Sequence, residues 1–270
     1  MTTKASTDFG AIKERQRKTW ASGEYGSIAA LIVPMAEQLC ERAGLRAGDR
    51  VLDVACGTGN ATIAAARRSF DATGIDYVPE LLDVARERAR VEGLEIDLVD
   101  GDAEAMPFDD GSFDAVISVV GVMFAPDQER AASELLRVCR PGGTIALANW
   151  TPDGFLGDLF RLIGRYVPPP VGVRPPPEWG GEERIAELLG ATAARRTERR
   201  MFTFRFRTAE DFADLFLTRY GPTLKASEAQ DDSGRTALRD DLVELIAKHD
   251  DDEPGSVAVG AEYLEVIATR

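Results

Sequence analysis

The sequence predicts an α/β fold, a doubly wound and mainly parallel sheet with helices on both faces. Short apolar segments recur at residues 51–54, 72–75, 94–99, 113–118 and 144–148, the lengths of buried strands. Helical runs lie between most of them, at residues 60–68, 79–91 and 128–139. Repeated β-α units of this kind wind into a parallel sheet by right-handed crossovers. The third observation is the passage from the first strand into its helix, Val-Ala-Cys-Gly-Thr-Gly-Asn at residues 54–60. Gly57 and Gly59 let the backbone turn tightly there and let a ligand approach without a Cβ in the way.

Composition narrows the function. At 270 residues, with 44% hydrophobic and 29% charged residues, the chain can bury a sizeable core in one large domain or two small ones. Its formal net charge of −14 repels phosphate backbones, so a small molecule rather than nucleic acid is the expected partner. Met-Thr-Thr-Lys-Ala-Ser-Thr-Asp at the start has no apolar h-region, and no run approaches a membrane span. Cys40, Cys56 and Cys139 are spread without pairing or metal-ligand spacing, which fits a reducing cytoplasm with no bound metal.

In chain order, residues 9–44 carry helical patterning broken by Ser22-Gly23 and by Pro34, which reads as the first residue of a helix over 34–42. Asp53 ends the first strand, four residues before Gly57. The loop Gly57-Thr58-Gly59-Asn60-Ala61-Thr62 lacks the third glycine of a dinucleotide fingerprint. A carboxylate at Asp53 suits a ligand with a cationic amino-acid end and repels a pyrophosphate. The helix behind the loop begins with unpaired N–H groups that suit a polar ligand. Asp76 ends the second strand. Its two acceptor oxygens match the two hydroxyls of a ribose, and the interval from Gly59 fits one β-α-β step; the rival reading is a helix N-cap.

The stretch Asp53 to Gly59 resembles motif I of the class I S-adenosylmethionine (SAM) dependent methyltransferases, Asp/Glu-x-x-x-Gly-x-Gly after the first strand. The similarity continues at the right spacings to about residue 150. The resemblance implies a Rossmann-like, seven-stranded, mostly parallel sheet with a partly helical substrate lid. It also implies SAM as cofactor, S-adenosylhomocysteine (SAH) as product and a small-molecule acceptor, as in quinone-biosynthesis and natural-product members. The organisation it suggests is a helical cap over residues 1–46, a SAM-binding core over 47–150, a lid over 151–190 and strands and helices completing the sheet over 191–270.

By the same resemblance, Asp53, Ala55, Cys56, Gly57 and Gly59 surround the cofactor, Asp102 accepts from the adenine amino group and Ala103 supplies a neighbouring backbone N–H. A solvated acidic loop is the plainer alternative for residues 100–104. Tyr77, beside Asp76, would lie against the adenine face. In similar methyltransferases the N-terminal segment folds over the cofactor, so Trp20 and Tyr25 are lid candidates; core aromatics pinning a helix onto the sheet is the equal rival.

Strand four, opened by Phe113-Asp114, delivers residues 119–124 to the carboxyl edge of the sheet, where open α/β sheets bind ligands. Val119 and Met123 are therefore expected around the methionine part and the reacting methyl, with a core role for Met123 as the alternative. Asp127 caps the helix over 128–139, Pro141-Gly142-Gly143 stops it, and residues 144–148 form strand five. Beyond Trp150 come a helix over 154–166 and two proline triplets, extended rather than helical, that lead with Trp179 into a stiff lid loop or a connector. Residues 182–189 form a helix ending at Gly190. Phe202, Phe204 and Phe206 alternate with polar residues as a strand with one buried face; the six arginines of residues 195–207 read as its wet side and not as a nucleic-acid face. Helices over 211–219 and 234–249 and a strand over 256–268 close the chain, with Tyr220-Gly221-Pro222-Thr223 following the first helix and a solvated acidic loop at 250–253.

No residue is assigned as a catalytic base. The sole histidine, His249, sits late in a helix, where the dipole favours it. Trp150, Trp179 and Tyr220 are the candidates for substrate contact. Two rival functions remain open at this level: a nicotinamide-dependent oxidoreductase, disfavoured by Asp53 and the missing glycine, and a protein that binds SAM or SAH without transferring a methyl group.

Overall fold

The computed structural model describes residues 7–190, 192–251 and 255–270. Most of the N-terminal peptide read for a leader, and Asp252 and Glu253 of the acidic loop, lie outside the described residues. Five strands come first: β1 (Arg50–Val54), β2 (Asp71–Asp76), β3 (Asp97–Asp100), β4 (Phe113–Val119) and β5 (Cys139–Trp150). Two long ones follow, β6 (Ala194–Phe206) and β7 (Val257–Thr269). They form one seven-stranded sheet in the order β3-β2-β1-β4-β5-β7-β6. Pairing is parallel up to β5, and β7 runs antiparallel to both β5 and β6.

Helices α1 (Phe9–Trp20), α2 (Tyr25–Leu31) and α3 (Val33–Arg42) precede the sheet, and Pro34 stands in the first turn of α3 as its fixed φ favours. The crossovers are α4 (Asn60–Ala66), α5 (Pro79–Glu92) and α6 (Gln128–Val138). The C-terminal helices are α7 (Gly154–Tyr166), α8 (Glu182–Leu188), α9 (Ala209–Arg219), α10 (Gly221–Glu228) and α11 (Asp232–Lys248). Val51, Leu52 and Val54 are fully buried with Ala115, Val116, Ile117 and residues 145–148, as central parallel strands covered on both faces must be. Because β1 has β2 on one side and β4 on the other, the chain leaves the sheet in opposite directions from its middle. A crevice opens at the carboxyl ends of these strands.

Four elements differ from the sequence reading, each for a local reason. Leu94 does not start β3, because its N–H closes the end of α5 on Ala89 O at 2.9 Å around the left-handed Gly93. Pro141, Gly142 and Gly143 lie inside β5 and do not precede it. A Cβ at Gly143 would stand 2.7 Å from Asp114 O, so glycine lets the strand bulge against β4. The segment at 220–223, assigned to no element in the sequence, opens the additional helix α10, with Pro222 in its first turn. The second proline triplet, expected extended, enters a short 3-10 turn instead: Pro176–Gly180 presses onto the end of β5, where a Cβ at Gly180 would stand 2.2 Å from Trp150 O.

Candidate functional site

The crevice deepens into a cavity of about 760 Å³, a volume that includes the space open to solvent. Its floor comes from the loops after β1 and β4. Ala55 (φ +53°) and Val120 (φ +52°), which follow those two strands, both take the left-handed conformation although neither is glycine. Such strain, roughly 1–3 kcal/mol each, persists only where surrounding packing enforces it. Here the enforcement is visible. Ser118 Oγ donates to Val54 O at 2.7 Å and accepts from Val122 N at 2.9 Å, stitching the end of β1 to the turn after β4. Gly121 completes the join: a Cβ there would lie 2.4 Å from Ala55 O.

Carboxylates ring the apolar floor. Asp76 Oδ2 accepts from Gly57 N at 2.8 Å and Oδ1 from Val78 N at 2.9 Å, so it sets the conformation of the glycine loop while keeping acceptor positions on both oxygens. Burial pushes its carboxyl up to about 6 against the pull of those N–H groups. Beside it, past the end of β3, Lys13 Nζ of α1 bridges Asp102 Oδ2 at 2.6 Å and Glu104 Oε2 at 2.5 Å. Glu104 also accepts from Asp127 N at 2.8 Å; burial nonetheless raises its carboxyl above the usual range.

The sequence candidates divide cleanly. Trp20, Tyr25, Ala55, Cys56, Gly57, Asp76, Tyr77, Asp102, Ala103 and Val119 all line this cavity. Asp53, Gly59 and Met123 do not. Asp53 lies behind the loop, where Oδ2 takes both the N–H and the hydroxyl of Thr62 at 2.8 Å, and burial pushes its carboxyl up to about 7. Gly59 caps α4 with φ +81° and faces α5, where a Cβ would meet that of Ala85 at 2.9 Å. Met123 is fully buried in the core, the alternative weighed for it.

A second chamber of about 350 Å³ shares Trp20, Tyr25, Ile32, Val120 and Phe124 with the first and continues to Trp150, Leu156, Phe204, Phe216 and Tyr220. Trp20 sits at the junction, with ring centroids 5.3 Å from Tyr25, 4.7 Å from Phe124 and 5.9 Å from Tyr220. Two of the three substrate candidates, Trp150 and Tyr220, therefore fall together. Trp179 does not join them. It is fully buried in the hydrophobic core beside the end of β5 and lines neither chamber, because its 3-10 turn packs inward. His249 also lies outside both walls, with Nε2 at 2.7 Å from Asp158 Oδ2.

Sequence reasoning missed Lys13, Glu104, Ser118 and Gly121. Glu104 stood in a quoted stretch and Gly121 in the loop after β4, but the role of Lys13 depends on α1 crossing to a loop 89 positions away.

A doubly wound sheet, a glycine turn after its first strand and acids at the tips of the next two define an adenosine-binding class of α/β protein. The family model described as "Methyltransferase domain" matches residues 52–147. An uncharacterized protein of Mycobacterium tuberculosis is 44% identical over 237 residues, covering 84% of this chain and 86% of its own length. A demethylmenaquinone methyltransferase of Deinococcus radiodurans is 36% identical over 172 residues, 57% of this chain and 71% of that one. Among solved structures, a putative methyltransferase from Bacillus halodurans superposes with a TM-score of 0.59 at 23% identity, covering 87% of this chain and 97% of that chain. The chain belongs to the class I SAM-dependent methyltransferase family, and its cofactor is SAM. The nicotinamide reading falls away with that assignment.

Proposed function

We propose that the outer cavity holds SAM and that the inner chamber holds the methyl acceptor, an uncharged, largely apolar small molecule. The observation that carries this reading is the shared wall. Trp20, Tyr25, Ile32, Val120 and Phe124 line both spaces, so the reacting ends of two ligands meet there without crossing solvent.

The residues fit the cofactor. Asp76, Asp102 and Glu104 make an acceptor-rich rim on an apolar floor, which suits a diol, an exocyclic amine and a net cation and disfavours a pyrophosphate. Asp76 takes the ribose hydroxyls, Asp102 with the Ala103 N–H takes the adenine edge, and Tyr77 lies along its face. Ala55, Cys56 and Gly57 present backbone to the amino-acid end, with Val119 as floor and Trp20 and Tyr25 as cover. Asp53, Gly59 and Met123 support these groups from behind. When bound, SAM supplies a methyl already made electrophilic by its sulfonium.

The protein's own part is to align the acceptor and exclude water, which contributes roughly 7–11 kcal/mol in favourable cases. The inner wall is built of aromatic and aliphatic residues, so a charged acceptor would enter it at a large desolvation cost. Burial raises the Tyr25 and Tyr220 hydroxyls well above their usual range. They serve as hydrogen-bond donors and not as bases, which leaves proximity as the main source of rate.

The test is calorimetric titration of SAM and SAH, followed by methyl-transfer assays on paired aromatic acceptors that differ only in a carboxylate. Turnover confined to the uncharged partner, and lowered by Trp150→Ala, is the expected result. Preference for the charged partner, or no dependence on Trp150, refutes the placement of the acceptor.

A further inference from the structure

We propose that Arg88 is a positioning residue for the cofactor: from outside the cavity it fixes the glycine loop and, through Asn60, the cap helix α2. The proposal rests on the reading of the outer cavity as the SAM site.

Arg88 lies on α5, half-buried, and is not part of the cavity wall. Its Nη1 donates to Thr58 O at 2.6 Å and to Asn60 Oδ1 at 2.8 Å, with Thr58 Oγ1 at 3.3 Å. Thr58 and Asn60 do line the cavity, on either side of Gly59. The same Asn60 donates from Nδ2 to Ala29 O of α2 at 2.8 Å, and Ala29 lines the cavity too. One cation thus ties together the loop after β1, the start of α4 and a helix of the cap.

The seat of α5 explains the reach. Ala85, one turn before Arg88, stands against Gly59 so closely that a Cβ on the glycine would meet its own at 2.9 Å. The loop can settle on α5 only with glycine there, and Arg88 then grips the residues flanking it. Arg88 makes no ion pair among the described residues. Its charge is held half-buried by a carbonyl, a hydroxyl and an amide, and loss of solvation lowers its pKa. By contrast Arg67, on the next helix face, bridges Glu37 and Glu92 in an ordinary surface network that touches neither chamber. Besides the electrostatic pull of Glu92, the groups that hold Arg88 are Thr58 and Asn60, the two that line the cavity.

The experiment measures SAH affinity by calorimetry for wild type, Arg88→Ala, Arg88→Lys, Asn60→Ala and the Arg88→Ala/Asn60→Ala pair. Arg42→Ala, which breaks a pair with the buried Glu265 away from both chambers, is the control for stability loss alone, and thermal unfolding is recorded for each. Arg88→Ala is expected to weaken SAH about tenfold. Arg88→Lys recovers part of that, Asn60→Ala loses several-fold, and the double variant is no worse than its weaker parent, since both act through one linkage. Arg42→Ala lowers the melting temperature without changing affinity. Wild-type binding with Arg88→Ala within twofold of it, or losses that simply add, overturns the proposal and leaves the cofactor site intact. If Arg88→Ala does not fold, Arg88→Lys with Asn60→Ala decides in the same way. Wild type that binds neither SAM nor SAH overturns the site reading itself.

Discussion

Lys13 Nζ stands 2.6 Å from Asp102 Oδ2 and 2.5 Å from Glu104 Oε2, so α1 is tied to the loop after β3 at the cavity wall. Glu104 is 5% exposed and depends on that ammonium for its charge. Removing one partner of a buried pair leaves the other uncompensated. Lys13→Met is therefore expected to lose roughly 1–3 kcal/mol at pH 7 in urea unfolding. The sign with pH follows from Glu104, already raised above 4.5 by burial and raised further without Lys13. A protonated carboxyl has no need of the lysine, so the difference between variant and wild type shrinks as pH falls through that range. A deficit that stays constant from pH 7 to pH 4 contradicts this account.

The same tie sits on the acid expected to receive the adenine amino group. On the proposed placement of SAM, cofactor entry on that side competes with Lys13, and stopped-flow binding of SAH to wild type is expected to quicken with added salt. The Lys13→Met protein is expected to bind at a rate nearly independent of salt, since the pair that salt screens is gone. A salt response unchanged in the variant removes Lys13 from the entry step.

Asp76 gives the cofactor reading a pH signature. Its carboxyl sits at about 6 because burial outweighs the N–H groups of Gly57 and Val78. Two ribose hydroxyls bind the carboxylate and not the acid. SAH affinity is expected to fall as pH drops through about 6, approaching tenfold per pH unit below it. Asp76→Asn is expected to bind weakly with a flat profile, and Asp76→Ala at least about tenfold more weakly than wild type at pH 7.5. Calorimetry across pH 5–8 reads all three.

Asp53 separates a supporting acid from a binding one. Its folded pKa, about 7, lies above the ordinary 3.8, so its contribution to stability is fully present below 3.8 and is lost as pH rises through 7. Asparagine can still accept from Thr62 without carrying charge. Asp53→Asn is thus expected to match wild type near pH 4 and to exceed it in stability at pH 8, by on the order of 1–4 kcal/mol. Denaturant melts at the two pH values check it; a variant less stable at pH 8 shows that the charge itself holds the loop.

Asp53 also marks how far the sequence could be read. Strand lengths, the glycine turn and the interval to Asp76 announced the sheet and its crevice, because parallel strands and βα turns are local in sequence. An acid at a strand tip, however, is equally placed to face a ligand or to brace the loop behind it, and only the partners of its oxygens decide. Trp179 lines neither chamber for a related reason: aromatic composition does not tell which side of β5 a segment will cover. Lys13 and Arg88 were invisible because each acts through a helix whose docking is set by the whole fold.

Gly121 tests the strained floor directly. Its φ of −114° is open to any residue, so alanine there meets no backbone penalty. The obstacle is space: the new Cβ would stand 2.4 Å from Ala55 O and 3.0 Å from Ala55 Cβ and Ser118 Oγ. Two of those atoms belong to the loop that follows β1, and Ser118 holds the end of β1 through Val54 O. The loop must therefore retreat and release the left-handed Ala55. Gly121→Ala is expected to lose roughly 1–3 kcal/mol of stability, the usual range for overpacking. It should also weaken SAH binding beyond what a control variant of equal stability loses. Equal stability loss with unchanged affinity would mean that the turn after β4 supports the fold but not the cofactor. Coupled losses would tie the position of Ala55 to the ligand, as the joined loops require.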